Sequence, residues 1–501
     1  MAAVPDRLSP LDVSFLYFEE PTTPMHVGSV SIFQEPRNGF DHDRLLELIG
    51  QRIAFVPRYR QRVRWVPGRL ANPVWVDDED FDLTYHVRRS ALPRPGDDTQ
   101  LAELVARVQG RRLDRSRPLW EMYLVEGLSN GRFALIGKTH HAMVDGIGAV
   151  DIGQVILDDS PQRRKRTGST WRPAVEPSWV ELVAGAVAET VRRPTAAIDT
   201  VRGGITEVRS TAGRLAGVAG GLLAAATSAA RPAPGSPLNA EIGEHRRYAM
   251  VTLGLDDHRR IRTAHSAHSG HSGHYDHSGS GAHILDLSVN DVVLATVAGA
   301  LRAWLLTRGE TVGSATTVRA LVPVSVRSPT ENSAATPAAP ATPAAATPSD
   351  PSRVSSYLVD LPVGEPSAVM RLHQVSYRMQ AHRETGQAVG AQALAGLAGF
   401  APPTLHSLGA RVASGLSKRW FNTVVTNVPG PQQPLYAGNA RMLASFPVVP
   451  LAKGQALSIG LTSYDGRVFY GLNADRDAMP DVDVLAASLQ DALAELLETV
   501  R

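Results

Sequence analysis

Apolar positions along the chain follow two different periods, which predicts a mixture of strands and helices. Short apolar or alternating segments predict strands at residues 27–33, 133–137, 317–326, 354–361, 456–464 and 467–472. Apolar residues at three- and four-residue spacing predict helices at residues 45–55, 99–111, 288–306 and 482–500. The last two strands are joined by Asp465-Gly466, a dipeptide typical of a β-hairpin. Because both periods recur along the chain, the fold class is α/β or α+β.

Stretches of biased composition divide the chain. Residues 160–177 are rich in Arg, Pro, Ser and Thr, which is typical of a surface linker, and a helical pattern starts at Ser178. Residues 264–283 (His, Ser, Gly) and 330–352 (Ala, Pro, Thr, Ser) predict flexible insertions. A chain of this length exceeds one hydrophobic core, so we predict two large domains. The predicted division is an N-terminal domain at residues 1–160, a helical crossover at 161–240 and a C-terminal domain at 241–501.

Charge and cysteine content exclude several classes of protein. Lys and Arg number 51 against 49 Asp and Glu, so the chain lacks the basic excess typical of a nucleic-acid binder. It has no cysteine, which excludes disulfides, thiolate metal sites and a cysteinyl acyl-enzyme, and which fits a reducing cytoplasm. No secretory signal is visible, and the longest uncharged apolar stretch, residues 215–230, is shorter than the ~20 residues that span a bilayer. We expect a cytoplasmic protein that meets a membrane only from the side.

The clearest chemical signal is His140-His141-Ala-Met-Val-Asp145-Gly146, between a predicted strand and a predicted helix. Adjacent histidines alone usually carry no chemistry, but this full pattern favours catalysis. Neutral imidazole, with a reference pKa of about 6.5, is a good base near neutral pH. Transfer of an acyl group from a thioester to an alcohol needs such a base, because the alcohol loses its proton as its oxygen attacks. We expect Asp145 to pair with an arginine across the turn and Gly146 to adopt a backbone conformation closed to other residues.

Three other interpretations of the sequence are weaker. The histidines within 264–283 could capture zinc or nickel, but their spacing in a Ser/Gly tract is more typical of a solvated loop, and we expect no metal site. Gly146-Ile-Gly148 follows a strand, yet Asp151 stands where a dinucleotide fingerprint needs its third glycine. The sequence has no Gly-x-Ser-x-Gly elbow, which argues against a serine hydrolase.

Further short motifs follow in order from about residue 8 to about residue 500. They are Leu8-Ser-Pro-Leu-Asp12 with Phe15, Met25-His-Val-Gly28, Phe81-Asp82 with His86, Pro118-Leu119-Trp120-Glu121, Asn290-Asp291, Leu321-Val-Pro-Val-Ser-Val-Arg327, Asn427-Val-Pro-Gly-Pro431, Pro434-Leu435-Tyr436 and Ser463-Tyr464. Each is weak alone, but their order and spacing together are specific. Together with the His-His-x-x-x-Asp-Gly signature of coenzyme A-dependent acyltransferases, they make the sequence resemble the bacterial wax ester synthase/diacylglycerol acyltransferase family.

The resemblance implies a fold and a set of site residues. The fold would be two chloramphenicol acetyltransferase-like domains with the active-site tunnel between them. His141 would be the general base, while His140, Asp145 and Gly146 would support it. The implied substrate-side residues are Pro118, Leu119, Trp120, Asn290 and Asp291.

The resemblance also implies an activity, with alternatives that stay open. We expect an O-acyltransferase that moves a long-chain fatty acyl group from acyl-CoA to diacylglycerol and so forms triacylglycerol. Acyl-CoA would be a co-substrate, and no cofactor is expected. A wax ester synthase that uses a long-chain alcohol, or a carrier-protein-dependent transferase of the same superfamily, is the alternative. The apolar substrates and the helices that start at Ser178 suggest a position at the inner face of the cell membrane or at lipid droplets.

Two features depart from the family pattern. The His/Ser/Gly stretch at 264–283 intervenes before the Asn-Asp helix, and Pro351-Ser352 stand where the family usually has Gly-Asn. Neither departure touches the histidine motif.

Overall fold

The computed structural model describes residues 6–144, 153, 156–161, 171–192, 232–268, 287–325, 354–385, 389–390 and 420–500. Asp145 and Gly146 lie outside these residues, and so do the predicted insertion at 330–352 and the Pro351-Ser352 departure.

Helices and strands are mixed along the described chain. The helices are α1 (Pro10–Phe18), α2 (His42–Arg52), α3 (Leu83–His86), α4 (Asp98–Gln109), α5 (His141–Val144), α6 (Trp179–Arg192), α7 (Leu255–His268), α8 (Val289–Thr307), α9 (Ala368–Thr385) and α10 (Val482–Glu498). The strands are β1 (His26–Gln34), β2 (Gln61–Arg64), β3 (Val74–Asp77), β4 (Val87–Gly96), β5 (Trp120–Leu128), β6 (Arg132–His140), β7 (Leu157–Asp158), β8 (Arg246–Gly254), β9 (Val318–Ser325), β10 (Val354–Leu361), β11 (Val389–Gly390), β12 (Thr423–Pro429), β13 (Tyr436–Ala437), β14 (Ala440–Val448), β15 (Leu457–Tyr464) and β16 (Arg467–Asp475). Short 3₁₀ helices lie at Ile53–Phe55, Pro57–Arg60 and Pro67–Arg69.

The helix predicted to start at Ser178 is present, and residues within its own first turn stabilise its start. The backbone N–H of Glu181 donates to the Ser178 hydroxyl at 3.3 Å, and the backbone N–H of Ser178 donates to the Glu181 carboxylate at 2.8 Å. This reciprocal capping box satisfies N–H groups that the first turn leaves free.

One predicted insertion is partly wrong. Residues 264–268 belong to helix α7 and not to a flexible stretch. The reason is tertiary packing: His265 is buried, and its Nε2 lies 2.9 Å from the hydroxyl of Thr499, just beyond α10. The rest of the insertion, from residue 269, lies outside the described residues.

The first sheet has seven strands in the order β4-β5-β6-β1-β14-β13-β7. Its centre is the antiparallel pair of β1 and β6, in which His26 lies directly opposite His140. Strands β13 and β14 come from the last quarter of the chain, and β14 pairs with β1 along its length. The sequence analysis assigned both strands to the C-terminal domain, and the structure places them in the first sheet instead. The sheet that a strand joins depends on its pairing partner, and the local sequence pattern does not specify that partner. The division of the chain into domains stays a prediction.

The second sheet also has seven strands, in the order β11-β10-β9-β12-β15-β16-β8. Helix α8 is buried along most of its length and packs against helix α10, and its Trp304 is fully buried. By length and composition α8 is the one described helix that could cross a membrane, but 72% of its apolar window is buried inside the protein. It is therefore the core helix of the second half.

The two sheets meet along β14, which contacts β15 and β16. The hydroxyl of Tyr248 donates to the carbonyl of Pro447 at 2.9 Å, and the amide of Asn473 donates to the carbonyl of Val449 at 2.7 Å. Gly471 permits this approach, because a Cβ there would lie 2.0 Å from the Pro447 carbonyl oxygen. These contacts fix the first sheet, and the histidines at its centre, relative to the second.

Candidate active site

The two motif histidines lie where strand β6 becomes helix α5. His140 is the last residue of β6, and His141 is the first residue of α5. The backbone N–H of His140 donates to the carbonyl of Leu119 at 2.9 Å, and that of His141 donates to the carbonyl of Met25 at 2.9 Å. The turn is thus tied both to the chain before β5 and to the chain before β1, so both rings start from a fixed backbone.

His140 is fully buried and is held in one tautomer. Its Nδ1 accepts a hydrogen bond from the backbone N–H of Ala142 at 3.1 Å, so the neutral ring carries its proton on Nε2. That nitrogen lies 4.0 Å from a carboxylate oxygen of Glu19. Burial, then the charge of Arg115 and the neighbouring His141, lowers the pKa of His140 to about 3. His140 is therefore neutral at physiological pH and has a structural position rather than that of a titrating base.

Glu19, the residue just after α1, is the carboxylate that lies beside Nε2 of His140. Its side chain is only 1% exposed, and one of its carboxylate oxygens accepts hydrogen bonds from two guanidinium nitrogens of Arg115, including Nε at 2.7 Å. Arg115 also donates to the carbonyl of Leu16 at 2.8 Å. A buried carboxylate requires charge-assisted bonds of this kind. Glu19 and Arg115 therefore form an ion pair beside His140, with the carboxylate buried and the guanidinium partly exposed.

His141 stacks on Phe15 of helix α1. The ring centroids are 4.6 Å apart, and the ring planes differ by 21°. Unlike His140, His141 is partly exposed. An accessible imidazole whose ring plane is held by an aromatic neighbour is free to accept a proton from a bound hydroxyl. The role of His141 as base stays a prediction.

A third histidine, His26, lies beside the pair and was noticed in the sequence only as part of a motif. It is buried, and its Nε2 lies 2.8 Å from the carbonyl of Gln109 at the end of α4. Gly28 permits α4 to come this close, since a Cβ there would lie 2.2 Å from the Gln109 side-chain amide nitrogen. Burial first, and then the charge of Lys138, lowers the pKa of His26 well below its usual value. His26 on β1 thus lies opposite His140 on β6, and His141 follows at the start of α5.

His26 also lines a small pocket where the two halves meet. Its other walls include Pro24, Arg246, Leu451 and Asn473, which come from both sheets or their loops. Arg246 is buried there: it donates to the carbonyl of Thr22 and forms an ion pair with Asp475 at 3.5 Å. The surroundings of His26 are therefore built from both halves.

Pro118, Leu119 and Trp120 are buried beside His140, and Leu119 and Trp120 have no exposed surface. The indole N–H of Trp120 donates to the carbonyl of Tyr59 at 2.8 Å. The ring of His86 stacks on Trp120, with centroids 4.8 Å apart. The structure gives this segment a supporting position, through the Leu119 carbonyl that holds His140. Contact with the acyl group, as the resemblance implies, stays a prediction.

Asn290 and Asp291 lie in the second half, on the first turn of α8. Asp291 forms a capping box with Ser288, whose backbone N–H donates to its carboxylate at 2.8 Å. Arg383 of α9 lies 3.7 Å from the same carboxylate oxygen. The side-chain amide of Asn427 on β12 donates to Asn290 at 3.0 Å. The structure therefore joins the Asn-Asp motif to the Asn-Val-Pro-Gly-Pro motif, a link that sequence spacing did not reveal.

No metal site is formed within the described ranges: no three His, Asp or Glu side chains are close enough there to hold an ion. The chemistry that the described site can supply is proton transfer at His141, with Glu19, Arg115 and His140 holding the turn. The sequence analysis missed Glu19 and Arg115. Glu19 could have been recognised from its position directly after an apolar helix, because a carboxylate buried there requires a basic partner.

Comparison with known proteins agrees with this architecture. The family model described as the wax ester synthase/diacylglycerol acyltransferase catalytic domain matches residues 8–269, and the model of the family's C-terminal domain matches residues 352–497. Among curated relatives, the probable diacylglycerol O-acyltransferase tgs3 of Mycobacterium tuberculosis is 45% identical over 51% of this chain and 95% of its own length. The probable diacylglycerol O-acyltransferase tgs1 of the same organism is 32% identical over 98% of this chain and 96% of its own.

Solved structures show the same fold. A wax ester synthase/diacylglycerol acyltransferase from Marinobacter aquaeolei is 27% identical, with a TM-score of 0.64 and 99% of each chain covered. The first condensation domain of the CDA synthetase is 15% identical, with a TM-score of 0.54, covering 100% of this chain and 98% of its own; it shows the fold alone. The predicted α/β or α+β class is thereby confirmed. The chain belongs to the wax ester synthase/diacylglycerol acyltransferase family.

Proposed function

We propose that this enzyme transfers a long-chain fatty acyl group from acyl-CoA to the free hydroxyl of diacylglycerol, forming triacylglycerol. The observation that carries the proposal is His141, which follows β6, is partly exposed and stacks on Phe15. The relative tgs1, which aligns with nearly the whole chain, is named a diacylglycerol O-acyltransferase. The tgs3 relative bears the same description.

The reaction needs one base and no covalent enzyme intermediate. His141 takes the proton of the acceptor hydroxyl as its oxygen attacks the thioester carbonyl. The tetrahedral intermediate then collapses, its carbon–sulfur bond breaks, and the histidine returns the proton to the departing thiolate of coenzyme A. The products are an ester and free coenzyme A. Acyl-CoA is a co-substrate, and the proposed reaction uses no cofactor and no metal.

His140 supports the base and does not share its role, since a pKa of about 3 makes its imidazole too weak a base to take the hydroxyl proton. Asp145 and Gly146 complete the motif and lie outside the described residues. The remaining proposed roles are substrate-side positions for Pro118, Leu119, Trp120, Asn290 and Asp291.

A second acceptor class is favoured by the Marinobacter structure, whose name includes wax ester synthase. A long-chain primary alcohol presents the same nucleophile, so the proposed chemistry is unchanged. A carrier-protein thioester is the alternative donor, which the condensation-domain fold alone suggests. We also propose a cytoplasmic enzyme at the inner face of the cell membrane or at lipid droplets, because diacylglycerol is held in lipid layers.

The test is a competition assay with palmitoyl-CoA, diacylglycerol and hexadecanol in equal amounts. The wild type, His141→Gln and the matched control His245→Gln, which changes an exposed histidine, are compared. We expect thiol release and triacylglycerol from the wild type and the control, and at least a 10²-fold loss for His141→Gln. Equal activity in His141→Gln would remove that residue from the mechanism. A wild type that releases no thiol with either acceptor would overturn the substrate assignment.

A further inference from the structure

The small pocket beside His26 has a volume of about 10 Å³. The polar residues of its wall are His26 and Gln109 of the first half and Arg246 and Asn473 of the second. A water molecule needs roughly 10–15 Å³ of such space and between two and four polar partners. The pocket is therefore too small for an acyl chain or a glycerol, and its size fits one water molecule.

His26 brings an unpaired acceptor to this pocket. Its Nε2 lies 2.8 Å from the carbonyl oxygen of Gln109, and because a carbonyl only accepts, Nε2 carries the ring proton. Burial first, and then the charge of Lys138, lowers the pKa of His26 well below its usual value, so the ring is neutral at physiological pH. Its Nδ1 therefore has a free lone pair, and this buried atom has no hydrogen-bond partner among the described residues.

The side chain of Gln109 brings a second unpaired acceptor. Its Nε2 donates to the carbonyl of Gly137 at 3.0 Å, which identifies the nitrogen branch of the amide and makes the other branch Oε1. Oε1 is buried, and within the described ranges it has no hydrogen-bond partner either. Buried acceptors without a partner are costly, so two of them at one pocket call for a shared donor.

The charges around the pocket select the kind of donor. Among the described residues no Asp or Glu lines the pocket, and its charged residue, Arg246, is already paired with Asp475 at 3.5 Å. A metal ion would thus meet a guanidinium and no carboxylate ligand. An anion would add a third acceptor to the two already present. A water molecule is neutral and donates to both acceptors at once.

We propose that this pocket is a binding site for one water molecule, which donates one hydrogen bond to Nδ1 of His26 and one to Oε1 of Gln109. The water oxygen accepts from Asn473, whose side-chain amide has a second N–H beyond the one that it gives to Val449. The water thus joins β1 and α4 of the first half to β16 of the second, beside the position where His26 faces His140. The site is independent of the proposed function, because it uses none of the groups assigned to acyl transfer.

The direct test is a crystal structure of the full chain at a resolution that shows single ordered waters. We expect one water at roughly 2.7–3.2 Å from both Nδ1 of His26 and Oε1 of Gln109. Three results would overturn the site: an ordered pocket with no water, a water bonded to only one of the two atoms, or a metal ion or protein group bonded to Nδ1.

A second measurement counts the long-lived internal waters in solution, by the relaxation dispersion of water oxygen-17. The wild type is compared with Gln109→Met, which removes Oε1, and with the matched control Glu103→Met, which places the same side chain at an exposed position of α4. We expect Gln109→Met to hold one long-lived water fewer than the wild type, because a water left with one acceptor is held weakly, and we expect the control to hold the same number. An unchanged count in a folded Gln109→Met would contradict the bridge, and the crystal structure decides the question without any variant if Gln109→Met does not fold.

Discussion

The ring of Phe15 lies face to face with the ring of His141, with centroids 4.6 Å apart and planes 21° from parallel. Phe15 belongs to helix α1, near the start of the chain, and His141 begins helix α5. The stack limits rotation of the imidazole about its Cβ–Cγ bond, while the Met25 carbonyl holds the backbone of the same residue. Backbone and ring of the proposed base are therefore fixed by two different segments that come before it.

Replacing Phe15 by Leu should reduce turnover more than stability. Leu keeps much of the volume but offers no flat face, so the imidazole gains orientations that are not productive. We expect kcat to fall about tenfold, and the free energy of unfolding to fall by about 1 kcal/mol, the usual value of an aromatic pair. Steady-state kinetics and urea denaturation measure the two effects. Phe15→Tyr keeps the stack and should retain near-wild-type kcat; a Leu variant with unchanged kcat would contradict the orienting role.

Glu19→Gln should damage the histidine turn, while Glu20→Gln should not. Glu19 is a buried partner of Arg115, whereas the neighbouring Glu20 pairs with Lys453 at 2.9 Å on the surface. Removing the buried charge leaves Arg115 without its carboxylate, and because Arg115 is itself partly exposed we expect a loss of about 1–3 kcal/mol. Glu20→Gln should stay within about 0.5 kcal/mol of the wild type.

Acyl transfer by the same two variants provides the second readout. Glu19→Gln should lose activity at a temperature where it is still folded, because His140 then loses the charge beside its Nε2. Circular dichroism confirms folding at the assay temperature. If both variants keep full activity, the pair at Glu19 serves stability alone.

Stability should fall as the pH drops below neutral, in part because of His140. Its pKa is about 3 in the folded protein and about 6.5 when unfolded. The unfolded chain therefore binds more protons below pH 6.5, so the stabilisation is complete above that value and is lost as the pH falls towards 3. Between pH 7 and pH 5 one such histidine accounts for about 2 kcal/mol.

His140→Asn isolates this contribution. The Asn side-chain oxygen can take the place of Nδ1 as acceptor for the Ala142 N–H, but it does not titrate. The free energy of unfolding of the variant, from urea titrations at pH 5, 6 and 7, should fall by about 2 kcal/mol less than that of the wild type. The exposed His245→Asn is the control and should follow the wild type. Parallel curves for wild type and His140→Asn would show that His140 is not held neutral.

Local pattern was sufficient for elements whose residues interact with near neighbours. Helix α4 begins and ends within two residues of its prediction at 99–111, and β15 and β16 meet at Asp465-Gly466 as expected. In these cases the capping residue or the turn residues lie inside the element's own sequence. The histidine turn was found for the same reason, since both histidines are adjacent.

The features that the sequence analysis did not predict depend on contacts between residues that are far apart in sequence. Strand β14 joins β1, more than 400 residues away in sequence, and no local period specifies that partner. Glu19 and Arg115 are separated by 96 residues, yet they form one ion pair in which the carboxylate is buried. A charged residue in a sequence gives no sign of being buried until its partner is known.

Arg246 is predicted to couple the two halves to the active-site turn. Its buried guanidinium donates to the carbonyls of Thr22 and Gly243, the latter at 2.7 Å, and pairs with Asp475. Thr22 precedes Met25, whose carbonyl holds the N–H of His141, so loss of this tie should loosen the turn. We expect Arg246→Gln to lower kcat at least tenfold and the free energy of unfolding by about 3 kcal/mol, since it leaves Asp475 buried without its partner.

Two further variants test whether the effect of Arg246→Gln on kcat comes from the loss of the hydrogen bond between Arg246 and Thr22. Arg247→Gln changes the adjacent exposed arginine, which pairs with Asp483 at 3.1 Å, and should stay within about 0.5 kcal/mol and twofold in kcat. Arg246→Lys keeps the charge for Asp475 but offers a single nitrogen where the guanidinium reaches several carbonyls. It should therefore recover part of the stability and little of the kcat. If Arg246→Lys recovers both equally, the arginine acts through charge alone, and the link from Thr22 to His141 does not carry the coupling.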